Sequence, residues 1–147
     1  MTYKITATNW HTNQTSLQHI RELVFIQEQH VPVADEWDDK DETATHFLVL
    51  TAEGKAIACA RLLIEDCAGK NVFHIGRVAV LVDYRKQSIG RELMRTIIAY
   101  CNAQNPGYKI YLHAQTSRQR FYEHLGFVAE GPIFMDAGIP HIEMWFS

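Results

Sequence analysis

The sequence predicts a mixed α/β sheet with helices on its faces. Three observations carry that prediction. Apolar, partly β-branched runs alternate with segments of helical period. Glu53-Gly54 and Ala68-Gly69-Lys70-Asn71 fall between consecutive apolar runs and read as turns. The 147 residues, 47% hydrophobic and 21% charged, suit one ordinary domain over residues 1–147 that buries a core without staples.

Taken in order, Tyr3–Ala7 alternates weakly and predicts a first strand. Ser16 is placed to cap a helix that runs to Gln29, with Leu17, Ile20, Leu23 and Val24 on one face. Val33–Thr43 is polar and predicts a loop or a short irregular helix. His46–Thr51 and Ala56–Ile64 predict a hairpin, and Phe73–Val82 a long strand with Gly76 inside it. From Ser88 to Cys101 the period turns helical, stacking Ile89, Leu93, Ile97 and Tyr100, and Asn105-Pro106-Gly107 ends that helix. Lys109–His113 is a short strand. Ser117 can cap a helix through Leu125, which Gly126 stops. Phe127–Ala129 and His141–Phe146 close the chain as strands.

Bulk properties exclude several classes. A net charge of −3 gives no electrostatic case for nucleic acid or an anionic membrane. Cys59, Cys67 and Cys101 are odd in number and lack C-x-x-C spacing, so neither a disulfide framework nor a metal site is predicted, and a reducing cytoplasm fits. Met1–Trp10 has no apolar h-region and no run approaches 18 apolar residues, so no leader or membrane helix is expected.

The chemistry gathers at the joint Val78-Ala79-Val80-Leu81-Val82-Asp83-Tyr84-Arg85-Lys86-Gln87-Ser88-Ile89-Gly90-Arg91. A strand passes through a basic loop into a helix, whose free N–H groups and positive dipole end suit a pyrophosphate. Arg85, Lys86 and Arg91 add charge, and Gly90 permits close backbone approach. The joint is neither a nucleotide P-loop nor G-x-G-x-x-G.

Arg85-Lys86-Gln87-Ser88-Ile89-Gly90 resembles the acetyl-CoA signature [R/Q]-x-x-G-x-[G/A] of the GCN5-related N-acetyltransferases, the GNAT family. Ser88 stands where that signature has its first glycine. A serine caps a helix start well but is strained if the position needs a positive φ. Phe121-Tyr122-Glu123-His124-Leu125-Gly126-Phe127 is similar to the family's F-Y-x-x-x-G-F segment. The resemblance narrows to an ElaA-like bacterial branch. It does so through Val24-Phe25-Ile26 with Glu28-Gln29, Pro32, Glu36-Trp37-Asp38, His46, Ile75-Gly76-Arg77-Val78-Ala79-Val80, His113-Ala114-Gln115 and Ala137-Gly138-Ile139-Pro140-His141-Ile142-Glu143-Met144.

That resemblance implies a mostly antiparallel central sheet splayed at the coenzyme site, with helices on both faces. It implies acetyl-CoA as co-substrate, no metal, and a small-molecule amine or peptide as acceptor, and it allows a homodimer. The backbone of Val78, Ala79 and Val80 would hold the thioester arm; Arg85, Lys86, Gln87, Ser88, Ile89, Gly90 and Arg91 would hold the phosphates; Gln115, also counted as coenzyme-binding, takes a place where many members have Asn. Tyr122 would protonate the leaving thiolate. Glu28, Glu36, His46, His74 and His141 compete as base, with Glu28, His46 and His141 retained as catalytic candidates. Arg77, inside a strand, is expected to pair with a carboxylate or touch substrate. Asp35–Glu42, with a formal charge of −5, reads as a solvated loop or an acidic rim drawing in a cationic amine. A non-catalytic acyl-CoA sensor and a plain interaction domain are the alternative functions.

Overall fold

The computed structural model describes residues 1–147. Seven strands form one sheet in the order β1-β2-β3-β4-β5-β7-β6. They are β1 (Tyr3–Thr8), β2 (Thr45–Thr51), β3 (Ala56–Cys67), β4 (Lys70–Val80), β5 (Lys109–Gln115), β6 (Phe127–Asp136) and β7 (Ile139–Phe146). All neighbours are antiparallel except β4 and β5. The expected mixed, mostly antiparallel sheet is present. Ala68 and Gly69, both left-handed, turn β3 into β4, and Ala137 and Gly138 turn β6 into β7.

Four helices flank the sheet: α1 (Trp10–Arg21), α2 (Val33–Glu36), α3 (Ile89–Gln104) and α4 (Gln119–His124). The first starts earlier than Ser16 predicts. Asn9 caps it, its Oδ1 accepting the Thr12 N–H at 2.9 Å. It kinks at Asn13 and continues as a π-helical stretch from Glu22 to Glu28. The Ser117 cap is also absent: a short 3₁₀ turn, Thr116–Arg118, leads into α4.

One core lies under α3. Ile89, Leu93, Met94, Ile97 and Cys101 meet Phe47, Ile57, Phe73, Ile75, Ile110, Leu112 and Met144, all at most 3% exposed. A second core, on the other face, joins Leu17, Ile20, Val24 and Phe25 to Leu48, Cys59 and Ala79. Each buried Leu or Ile contributes about 1.5–3 kcal/mol, so both faces of β2–β4 are firmly covered.

The parallel β4–β5 pairing is short, matching only Val72–Ile75 with Lys109–Leu112. Continued, that register would set Val78 opposite Gln115, but the strands part first. An opening is left between the C-terminal ends of two parallel strands, a common ligand position in sheets of this kind.

Candidate active site

Strand register decides which backbone groups face the opening. Leu81 N–H donates to Ile57 C=O at 2.9 Å, which makes Ala58 and Val80 a non-hydrogen-bonded pair. The N–H and C=O of Val80 therefore turn away from β3 and toward β5. Arg85 Nε donates to that carbonyl at 2.9 Å.

Beyond β4 the backbone N–H groups from Lys86 to Arg91 find no acceptor within the protein. Lys86 and Ser88 are both left-handed, at φ 66° and 63°. Such a run of free amides at the start of a 16-residue helix has the chemistry to cradle an anion. Lys86, Gln87, Ser88 and Arg91 are exposed, whereas Ile89 is buried and anchors the helix. A Cβ on Gly90 would sit 3.5 Å from Phe121 and 3.9 Å from Val80, ordinary contacts. Gly90 thus marks where α3, α4 and the end of β4 meet.

Ser88 does not cap α3 through its side chain; its hydroxyl accepts from Arg91 Nη2 at 3.0 Å. Its φ is one that serine adopts at a cost of about 1–2 kcal/mol. Ser88→Gly is expected to raise stability by roughly 1 kcal/mol. Urea denaturation checks this; a loss of stability would mean that the Arg91 contact outweighs the strain.

The expected basic cluster is divided. Arg85 grips Glu28 with two bonds of 2.6 Å, and that guanidinium lowers the Glu28 pKa. Gln29, the next residue, accepts from Gln115 Nε2 at 2.9 Å. The end of the π-helix thus touches both sides of the opening.

His141 is the cross-strand partner of Gln115. Its Nδ1 lies 2.7 Å from the Ile139 carbonyl. A carbonyl only accepts, so Nδ1 carries the proton, and in the neutral ring Nε2 keeps a lone pair. Tyr122 lies on α4 with its ring edge-on to Phe121 and Phe127. Its hydroxyl bonds no protein group, and burial pushes its pKa up to about 12, against a smaller opposing effect of Arg118.

His46 and Glu36 belong to a different constellation. His46 is 1% exposed, packs against Trp10 with the rings tilted by 36°, and bonds the Asp41 carbonyl through Nε2 at 2.9 Å. Burial lowers its pKa, with Asp41 opposing. Around it Arg21 Nε binds Glu36 at 2.6 Å, Arg21 Nη1 binds Asp41 at 2.7 Å, and Arg61 Nη1 binds Asp38 and Asp41 at 2.7 and 3.1 Å. The acidic stretch is therefore not simply a solvated rim. Glu36 and Asp41 are buried and Asp38 half-buried against arginines, while Asp35, Asp39 and Glu42 remain exposed. Burial favours a neutral Asp38, but the hydrogen bond from Arg61 and the nearby charges win and lower its pKa to about 2.

Sequence reasoning missed the Gln29–Gln115 bridge and the buried arginines. Gln29 signals only as part of a branch match and Glu28 as a candidate base, and Arg21 carries no local signal at all.

A sheet that parts between two parallel strands, with an amide cradle beyond it, defines the class of acyl-CoA N-acyltransferases. A family model described as an acetyltransferase (GNAT) domain matches residues 12–147. The chain belongs to this GNAT family, on its ElaA-like branch. It is 34% identical to protein ElaA of Escherichia coli over 130 residues, 88% of this chain and 84% of that protein. The E. coli ElaA crystal structure superposes with a TM-score of 0.87 at 27% identity, covering 99% of this chain and 100% of that one. An acyl-CoA N-acyltransferase from Pseudomonas aeruginosa gives 0.88 at 27% identity with the same coverage. The uncharacterized N-acetyltransferase YjcF of Bacillus subtilis is 32% identical over 127 residues, 86% of each chain. No helix is long and apolar enough to cross a membrane.

Proposed function

We propose that residues 1–147 form one N-acetyltransferase domain, passing the acetyl group of acetyl-CoA to a primary amine by direct attack in a ternary complex. The observation that carries this reading is the conjunction of the parted β4–β5 strands with the unpaired amides of Lys86–Arg91. Acetyl-CoA supplies an activated thioester. The cradle binds its phosphates, with Lys86 and Arg91 as nearby charges, and the turned-out amide of Val80 orients the arm and polarises a carbonyl. Arg85 acts through Glu28 and the Val80 carbonyl, shaping the opening instead of binding phosphate.

Proton handling divides between two groups. His141, with Nε2 as the lone-pair nitrogen, accepts the proton of the attacking amine directly or through water. Glu28 is locked to Arg85 and His46 is enclosed, so neither suits that role. Tyr122 stays protonated at neutral pH and donates to the developing thiolate. Its pKa lies well above the roughly 8.5 of an ordinary thiol, so the donation works as a hydrogen bond that tightens with charge.

The face beside Gln115 indicates the acceptor. On the same face as Gln115, β5 carries His113, whose partner on β7 is Glu143, whose partner on β6 is Glu130. Glu143 already accepts from Trp145 Nε1 at 2.9 Å and lies 3.2 Å from His113 Nε2, and Glu130 opposite it adds a second, exposed carboxylate to which an ammonium would be drawn. This pair sits one side-chain row from Gln115 and His141, about 7 Å along the strands. An acceptor with its reacting amine at His141 and a second ammonium at that row fits. A chain of about four or five methylenes, at ~1.5 Å per bond, spans the gap. The test is CoA-thiol release over a panel of amines. A lower KM for linear diamines than for monoamines of equal length supports the reading; equal KM values would remove the acidic pair from it.

A further inference from the structure

Between the pairs Cys59–Ala79 and Arg61–Gly76, β4 holds one residue more than β3, a bulge. Arg77 sits in it at φ 52°. An arginine pays about 1–2 kcal/mol for that conformation, which glycine would adopt freely. Such strain persists only where the surroundings over-determine it. Here they do. Arg77 Nη2 donates to the carbonyls of Asp35 and Glu36 at 3.3 and 3.1 Å and to Asp38 Oδ2 at 3.3 Å. Its Nε lies 3.2 Å from Glu36 Oε2. Glu36 and Asp38 are fixed in turn by Arg21 and Arg61. The pairing of β4 with β5 stops at Ile75, two residues before Arg77.

We infer that Arg77 is a positioning residue: its side chain, clamped by the segment Asp35–Asp38, holds the bulge that keeps β4 apart from β5 and aims the Val80 amide into the opening. The inference rests on the acyltransferase reading for its kinetic consequence but not for its geometric one. A regular β4 would extend its ladder toward Gln115 and engage the amides that the bulge leaves free. The clamp also joins the 33–44 segment, on the face of the second core, to the strand that borders the coenzyme opening. Displacing one displaces the other.

Arg77→Ala removes the clamp but keeps the strain of a residue with a Cβ at φ 52°, whereas Arg77→Gly removes both, because glycine adopts that angle freely. Arg77→Lys keeps a cation beside Glu36 but lacks the fork that reaches two carbonyls. The first readout is amide exchange in the ligand-free protein. Val80 is expected to exchange quickly in the native chain and in Arg77→Gly and to become protected in Arg77→Ala, with the lysine variant between. The second is steady-state kinetics: kcat falls about tenfold to a hundredfold in the alanine variant, as expected for a misplacement near 1 Å, and is restored by glycine and in part by lysine. Unchanged Val80 exchange in Arg77→Ala, or a lower melting temperature in that variant with kcat unaltered, overturns the inference. If the native protein releases no CoA, the acyltransferase reading fails on its own and the exchange result alone decides the role of Arg77.

Discussion

Replacing Tyr122 by phenylalanine is expected to lower kcat by roughly 10²–10⁴-fold while leaving the fold as stable as before. Stability should hold because the hydroxyl bonds no protein group, whereas the ring packs against Phe121 and Phe127 and is retained. Burial keeps the phenol protonated, so the native enzyme always presents a donor, and the variant presents none. Acetyl-CoA affinity should persist, since the amides of Lys86–Arg91 are untouched. The loss should shrink with a thioester whose leaving thiol is already acidic. Native turnover in the phenylalanine variant would make Tyr122 a packing residue.

The largest expected effect on stability comes from Arg21→Met. Arg21 is 1% exposed, lies 5.0 Å from the Trp37 ring and 5.6 Å from the Trp10 ring, and bonds both Glu36 and Asp41. Methionine fills much of the volume but leaves buried carboxylates short of charge. Breaking such a pair costs about 3–5 kcal/mol, and at about 2–4 °C per kcal/mol the melting temperature falls by about 6–20 °C. Calorimetry checks this; a change within about 2 °C would show that Arg61 and Arg77 compensate fully. A second substitution, Glu36→Gln, should recover part of the loss by removing one of the stranded charges.

The strands were largely legible because most are bounded by a turn signal, from Glu53-Gly54 to Asn105-Pro106-Gly107. β6 was cut short at Ala129 because Glu130-Gly131-Pro132 interrupts the apolar pattern. In the fold Gly131, at φ 83°, takes up an irregularity after which the strand resumes at Phe134. The Ser16 cap fails because Asn9 precedes Trp10, which has a core to join, and the Ser117 cap because Ser117 lies inside the 3₁₀ turn that leads into α4. The conditional strain at Ser88 was legible, since a serine in place of glycine poses the question that its φ of 63° answers.

The acidic segment was the hardest to read. Its charge run looks solvated, and the arginines that draw Glu36, Asp38 and Asp41 inward lie 15 to 41 positions away in the chain. No local pattern encodes that closure. A longer separation, 57 positions, hid the Glu28–Arg85 pair, whose members had been assigned separately to base and phosphate roles. His46 gained weight as a base only because its segment matches the branch. Its burial beside Trp10 and Asp41 explains its presence structurally.

The most direct test of the central claim is acceptor-dependent release of CoA thiol from acetyl-CoA, with the acetylated amine quantified in the same reaction. The account predicts one thiol released per amine acetylated, at a rate that falls by roughly 10²–10⁴-fold in Tyr122→Phe. Tight acetyl-CoA binding with no thiol release over diamines, polyamines, amino acids, amino sugars and peptides would contradict it, and would make the protein a sensor of acyl-CoA instead of an acetyltransferase.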